Sequence, residues 1–504
     1  MTALRPYQHD VVAEFDHAVA AGQRRIILVA PTGSGKTVIA ATIINRAVEA
    51  HQRVLVIAHR REIIQQTRDK LIANGLQPGV IQAGLEKDLR LLAPVQVASI
   101  QTLWSRAIRS ETIPLPVATL VIIDEAHHSR ANTYQKIIEA YPDAILLGLT
   151  ATPCRGDGRG LGNVFETMVE CPQVAELISG GYLVKSRVYA PIDPDLKGVR
   201  TEKGDYVVSQ LASRMNTDQL VGDLVTHWHK HGERRPTITF AVDVAHSVHI
   251  KDEFINAGVR AEHIDGSTPK DERDAILERL KSGETEVVAN CMVLTEGFDC
   301  PDIGCIILAR PTKQIGLFRQ MVGRGLRPAP GKKDVVILDH SGAVFRHGLP
   351  EDHVEWTLNV DRRAENPTQD RRRRGEEPKL RTCPSCQVMM TKPPCPSCGW
   401  MPVTRSGRDR DFLDGELGLV VGGRAKANQY SPADRQQWLA MLHHIAQERS
   451  YQRGWIAHKY KEKFGTWPAW GTIPEPMTPT PEVRSWVRSR QIAYAKSQQN
   501  RGAA

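Results

Sequence analysis

The chain has 504 residues, 41% of them hydrophobic and 24% charged, which is too long for one small domain and ample for about two to four with real cores. Its formal net charge of +9 is unevenly placed: residues 361–504 hold 25 of the 66 Lys and Arg but only 14 of the 57 Asp and Glu, so the basic surplus lies wholly there. That asymmetry suits a polyanion such as nucleic acid, or a solvated tail, while the lack of any apolar span of membrane length argues against a membrane protein. Met1 to Gln8 lack the apolar core of a secretory signal, so a soluble, cytoplasmic protein is expected.

Arg5-Pro6-Tyr7-Gln8 opens a helical pattern, and Ile26-Ile27-Leu28-Val29 reads as a buried strand. Next comes Ala30-Pro31-Thr32-Gly33-Ser34-Gly35-Lys36-Thr37, followed by a helical pattern with Val38, Ile39, Ile43 and Ile44. Strand, glycine turn and helix make a phosphate cradle: without a Cβ, Gly33 and Gly35 let successive N–H groups close around an anion at a helix start. Thr32 and Ser34 share the turn, Lys36 neutralises phosphate charge, and Thr37 offers a hydroxyl to the magnesium of a bound ATP. With ATP in the cradle, the Gln8 amide can pair with both edges of adenine; the alternative is a glutamine facing solvent.

Apolar runs at 54–57, 95–98, 120–123 and 144–147 read as buried parallel strands, whose carboxyl ends are where ligands sit. Asp124-Glu125-Ala126-His127 follows one of them. There Asp124 can hold magnesium and Glu125 can orient or deprotonate an attacking water, unless the pair merely caps a helix. A second set of runs, at 237–240, 287–289, 306–308 and 335–338, indicates another α/β lobe. Thr268-Pro269 reads as a helix cap with proline at the first turn. Arg324 and Arg327, three apart, are expected on one helix face, where they reach across a cleft to the γ-phosphate.

From 361 to 379 the composition turns to Asn, Pro, Gln, Gly and charge, with four arginines at 371–374 that suit either phosphate contact or a solvated run. Cys383, Cys386, Cys395 and Cys398 form C-x2-C-x8-C-x2-C, four thiolates suited to one structural zinc ion; a redox dithiol pair and an iron–sulfur cluster are the alternatives. Ser431-Pro432 starts a further helix with Trp438, Leu439, Leu442 and Ile445 on one stripe. Residues 454–464 interleave aromatics with lysines, and Trp467 and Trp470 follow. That pattern fits a strand-guiding surface or an aromatic core under a wet lysine face. Beyond 472 the sequence reads as a tail.

Taken together, APTGSGKT at 30–37, DEAH at 124–127 and TAT at 150–152 resemble motifs I, II and III of superfamily 2 helicases, with Ala30 in place of the usual first glycine. His59-Arg60-Arg61-Glu62 resembles motif Ia, Ser99-Ile100-Gln101-Thr102 motif Ib, Leu294 to Asp299 motif V, and Gln320 to Arg327 the Q-x-x-G-R-x-x-R frame of motif VI. With the cysteine module, the chain is similar to the RadD-like and type III restriction-subunit-like branch. The fold class implied is α/β: two tandem RecA-like parallel-sheet lobes, then a zinc module and a helical C-terminal domain. The boundaries expected are 1–185 and 186–358 for the lobes, 359–380 for a basic linker, 381–402 for the zinc module, 403–428 for a second linker, 429–471 for the helical domain and 472–504 for the tail.

The resemblance implies ATP hydrolysis by Lys36, Asp124, Glu125, Gln320, Arg324 and Arg327, nucleotide contacts from Gly297 and Asp299, and strand contacts from His59, Arg60, Ser99, Gln101, Thr102 and Thr295. Gln320 and His127 would report between lobes, and Thr150 and Thr152 would relay nucleotide state. It implies a bacterial or phage protein acting on DNA more than on RNA, with a single-strand-binding or repair protein as a conceivable partner. Two rivals remain: an ATP-gated switch that clamps nucleic acid without parting strands, and the motor subunit of a restriction complex, whose cleavage would need a partner because no nuclease constellation is evident.

Overall fold

Every apolar run expected to be a strand is one in the computed structural model. The structure describes residues 4–129, 131–190, 194–202, 204–295, 300–374, 380–402, 432–464, 466–468, 474–480, 483, 484, 486, 487 and 490. Strands β1 (Arg25–Val29), β2 (Val54–Ala58), β3 (Gly79–Ile81), β4 (Val95–Ser99), β5 (Leu120–Asp124), β6 (Ile145–Thr150) and β7 (Thr167–Glu170) form an all-parallel sheet in the order β3-β4-β2-β5-β6-β1-β7. Helices cover its faces, which is why the central strands are runs of Val, Ile and Leu: Ile26, Ile27 and Leu28 are fully buried. Each such side chain contributes about 1.5–3 kcal/mol on burial.

The chain then enters a second parallel sheet. β8 (Lys185–Tyr189) is followed by a small antiparallel pair, β9 (Thr201–Glu202) and β10 (Asp205–Tyr206). β11 (Thr237–Phe240), β12 (Ala261–Ile264), β13 (Val287–Asn290), β14 (Cys305–Leu308) and β15 (Asp334–Asp339) complete the order β12-β13-β11-β14-β15-β8.

Having crossed to the second lobe through residues 171–184, the chain comes back. Gln173 Nε2 donates to the Val354 carbonyl at 3.4 Å, and the Val354 N–H to Gln173 Oε1 at 3.5 Å, where the outgoing and returning segments run side by side. The returning segment then lies on the first lobe: the Gly162 N–H donates to the Leu358 carbonyl at 2.6 Å and the Ala364 N–H to the Gly158 carbonyl at 2.9 Å. Gly162 is glycine for a reason, since a Cβ there would sit 2.5 Å from the Leu358 oxygen. The stretch expected as a linker from 359 thus begins as a strap on the first lobe and continues as a helix, Pro367–Arg374.

The cysteine module, built on β16 (Arg381–Thr382) and β17 (Met389–Met390), packs against the second lobe: Val388, 2% exposed, shares a cluster with Tyr189 and Leu338. These parts form one compact unit, Met1–Thr404, and Arg405–Ala504 forms another. In the latter, helices Pro432–Glu448 and Arg453–Phe464 bury Trp438, Leu442, Ile445, Ile456 and Tyr460 in a core of their own. Lys463 Nζ lies 4.1 Å over the Trp438 ring, so this lysine covers an aromatic core. Val483 and Val487, in the stretch read as a tail, belong to that core. Ser431 and Trp470 lie outside the described residues.

Candidate nucleotide site and strand-facing loops

β5, β6 and β1 are neighbours, so the segments after them converge: Val29 pairs with Thr150, Asp124 with Leu149, and the Ala30 N–H donates to the Thr150 carbonyl at 2.8 Å. The glycine turn takes left-handed backbone at Gly33 (φ 90°) and Gly35 (φ 87°), from which helix Lys36–Glu49 starts. A Cβ on Gly35 would lie 2.5 Å from Gln8 Nε2. Gln8 is buried, its Nε2 donating to the Ser34 carbonyl at 3.0 Å and its Oε1 accepting from the Arg5 N–H at 2.9 Å. It holds the loop from below, and Tyr7 Oη donates to the same Ser34 carbonyl. The Arg5 guanidinium lies 4.9 Å over the Tyr182 ring beside it, a contact between residues far apart in the chain.

Lys36 Nζ contacts Glu125 Oε1 at 2.7 Å and Asp124 Oδ1 at 3.3 Å. Burial alone would lower the Lys36 pKa, but the two carboxylates outweigh it and hold the ammonium above the usual lysine range. Glu125 has left-handed backbone (φ 52°, ψ 55°), a strain of about 1–3 kcal/mol for a side-chain-bearing residue. That geometry turns its carboxylate to both Lys36 and His127, whose Nδ1 lies 3.4 Å from Glu125 Oε2 and 3.3 Å from Thr150 Oγ1. Thr150 Oγ1 in turn accepts from the Thr152 N–H at 3.1 Å. Thr37, Asp124 and Lys36 line one pocket, so a hydroxyl and a carboxylate, the oxygen donors magnesium takes, face the same space.

The second lobe meets this loop directly. Helix Ile315–Gly323 follows β14, and a Cβ on its Gly323 would fall 2.5 Å from Thr32 Cβ, while one on Gly316 would fall 3.2 Å from Thr152 Oγ1. Gln320 is buried in the same helix. The two arginines do not share a helix face as expected. The helix ends at Gly323, and the Leu326 carbonyl accepts from the Val184 N–H at 2.9 Å, which peels the chain away before Arg327. Arg324 is buried and donates to the Thr295 carbonyl at 2.6 and 3.0 Å. Arg327 instead lies on the phosphate loop, its Cγ 3.1 Å from where a Gly33 Cβ would be. Its carbonyl accepts from Lys332 Nζ at 2.8 Å, as does that of Pro301, and burial pulls the Lys332 ammonium down to about 8. Gly297 and Asp299 lie outside the described residues.

Of the expected strand contacts, Gln101 is exposed, and His59 and Arg60 are partly so. Arg60 Nη1 reaches the Val293 carbonyl of the second lobe at 3.2 Å, and Gln101 Nε2 the His59 carbonyl at 3.4 Å. Ser99, Thr102 and Thr295 are buried. Ser99 Oγ accepts from the Thr102 N–H at 3.5 Å as a helix cap, Thr102 Oγ1 accepts from the Ala83 N–H at 3.2 Å, and Thr295 Oγ1 donates to the Met292 carbonyl at 3.0 Å.

The four sulfurs of Cys383, Cys386, Cys395 and Cys398 lie within 4.8 Å of one another. Two pairs stand at 3.8 Å and 3.6 Å, close to the roughly 3.8 Å edge of a tetrahedron with Zn–S bonds near 2.3 Å. Each Cys-x-x-Cys turn is closed alike, Gln387 N–H to the Cys383 carbonyl and Gly399 N–H to the Cys395 carbonyl, both at 2.9 Å. The Trp400 N–H draws the Cys398 thiol down to about 6. The donor set fits zinc.

Fold and geometry define a two-lobed α/β protein whose glycine turn in the first lobe meets the second lobe directly. Residues 1–155 match the model of the type III restriction enzyme res subunit family, and residues 217–329 that of the helicase conserved C-terminal domain. A 51.5 kDa protein of Lactococcus phage isolate 7-9 is 31% identical over 400 residues, 79% of this chain and 82% of that protein. IRC3 of Saccharomyces cerevisiae, which bears the name of an ATP-dependent helicase, is 34% identical over 359 residues, 68% of this chain. The match spans only 52% of the yeast protein. XPB2 of Sulfurisphaera tokodaii, named a DNA 3'-5' translocase, is 25% identical over 373 residues, 66% of this chain and 79% of that protein. The chain belongs to the superfamily 2 helicases, in the branch that holds the type III restriction subunits.

Proposed function

We infer that this protein is an ATP-driven DNA translocase or helicase in which ATP closes two lobes on a strand. The observation that carries the reading is the seating of Gly323 and Arg327 of the second lobe on Thr32 and Gly33 of the phosphate loop. Lys36 exchanges its two carboxylates for phosphate oxygens when ATP binds, which frees Glu125 to orient the attacking water and take its proton. Arg327 brings positive charge to the γ-phosphate from the opposite lobe, so hydrolysis proceeds only when the cleft is shut. Magnesium, held by Thr37 and Asp124, would neutralise charge on the β- and γ-phosphates. DNA rather than RNA is supported by the restriction-subunit family match and by the archaeal relative's name. The phage relative supports a bacterial or phage-infected cytoplasm, and no helix among the described residues is long and apolar enough to cross a membrane.

ATPase rates across single-stranded, duplex, forked and junction DNA and RNA, paired with strand displacement, test the reading. DNA-stimulated hydrolysis with displacement of a forked strand is expected. Hydrolysis indifferent to every nucleic acid would overturn it, and stimulation without displacement would favour the ATP-gated switch.

Two further results are expected. Gly323→Ala places a methyl group against Thr32 and props the cleft open, so kcat should fall by about 10²-fold while ATP binding and thermal stability hold, as read by steady-state kinetics and melting. The cysteine module should hold one zinc per chain by elemental analysis. Cys383→Ser with Cys398→Ser should abolish it and lower Tm, while hydrolysis without DNA continues.

A further inference from the structure

The acid motif is followed at once by a second histidine, His128, to which neither the motif nor the hydrolytic chemistry gives a task. Its ring lies 4.1 Å from the His127 ring at 44° and 4.6 Å from the His59 ring, edge-on at 63°. His127 touches the catalytic carboxylate. His59 stands at the carboxyl end of β2, where its Nε2 accepts from Arg60 Nε at 3.2 Å and its carbonyl accepts from Gln101. A continuous row of contacts therefore runs from Glu125 through three imidazoles to Arg60, and from Arg60 to the Val293 carbonyl of the second lobe.

We propose that His128, packed between His127 and His59, is the positioning residue through which strand binding at Arg60 and Gln101 sets the Glu125 carboxylate for hydrolysis. This rests on the reading of residues 59, 60 and 101 as part of the strand-facing edge. Packed rings transmit displacement because interiors are close-packed and barely compressible. The element they push on is the 3-10 turn Ala126–His128, entered through the left-handed backbone of Glu125. A strained turn of this kind has a relaxed alternative, so strand and nucleotide can bias one equilibrium from its two ends. His128 makes no contact with substrate in this scheme and contributes only coupling.

The test compares the parent, His128→Ala, His128→Phe and the His59→Ala/His128→Ala pair in the full chain. ATPase is measured with and without a single-stranded oligonucleotide, and binding of a fluorescein-labelled oligonucleotide by anisotropy with and without a non-hydrolysable ATP analogue. His128→Ala should keep the DNA-free rate, the KM for ATP and the nucleotide-free DNA affinity, yet lose about tenfold of the DNA stimulation. The effect of the analogue on DNA affinity should shrink by a similar factor, since coupling in binding is reciprocal. His128→Phe, which keeps a ring in place, should retain most of both. At saturating oligonucleotide the double variant should lose no more of the stimulation than His128→Ala alone, the two rings acting as one unit in coupling, whatever His59 contributes to DNA affinity. Full stimulation in His128→Ala would overturn the proposal, as would an equal loss of the DNA-free and DNA-stimulated rates. A parent enzyme that DNA fails to stimulate would instead defeat the translocase reading, and this inference with it.

Discussion

Arg327→Ala is expected to leave ATP affinity within a few-fold of the parent and to cut turnover by about 10³–10⁵-fold, the range over which a charge-stabilising arginine acts in phosphoryl transfer. Arg327 comes from the opposite lobe and lies against Gly33, while the phosphate grip itself, the glycine turn with Lys36, belongs wholly to the first lobe. Binding and hydrolysis are thus expected to be separable by mutation. Arg324→Ala should behave otherwise. Its guanidinium donates to the Thr295 carbonyl, so its removal takes these donors from a buried acceptor and costs about 1–3 kcal/mol of stability. Phosphate-release kinetics, binding of a fluorescent ATP analogue and thermal melting distinguish the two. A loss of ATP binding in Arg327→Ala with turnover per bound nucleotide preserved would reverse the assignment.

Glu125→Gln should slow turnover by about 10²–10⁴-fold with ATP binding retained or tightened. The amide has nearly the same shape and can still meet Lys36 and His127, but it cannot take a proton and carries no charge. Loss of that charge leaves Lys36 with Asp124 as its remaining carboxylate, so its ammonium passes to the phosphates more readily. Turnover within a few-fold of the parent would remove Glu125 from the chemistry.

What the sequence made legible follows the physics of burial. The central strands, covered on both faces, have to be continuous apolar runs and were readable as such. Within the two large sheets the four strands without such a run, β3, β7, β8 and β12, are the four edge strands. A half-covered edge tolerates Lys-Ser-Arg at the start of β8 and Glu-His within β12, and no periodicity betrays them. The same holds for the site. Lys36, Asp124 and Glu125 follow buried strands, so their convergence was inferable from the parallel sheet. Arg324 and Arg327 have equal standing in the motif, but with Leu326 paired to Val184 between them the first lies on the Thr295 carbonyl and the second against Gly33. Lys332, held on a carbonyl of Arg327, and His128, held between two rings, depend on contacts across the fold that local sequence does not encode.

The doubled passage between the lobes has a mechanical consequence. A single strand of chain is free to twist about its own bonds and would let the second lobe wander. Two strands bonded side by side, as at Gln173 and Val354, resist torsion and shear and leave one easy direction of bend. The strap from Leu358 to Ala364 anchors the far end of that ply to the first lobe. The joint therefore works like a door hinge. A hinge of this kind would confine opening and closing to one arc.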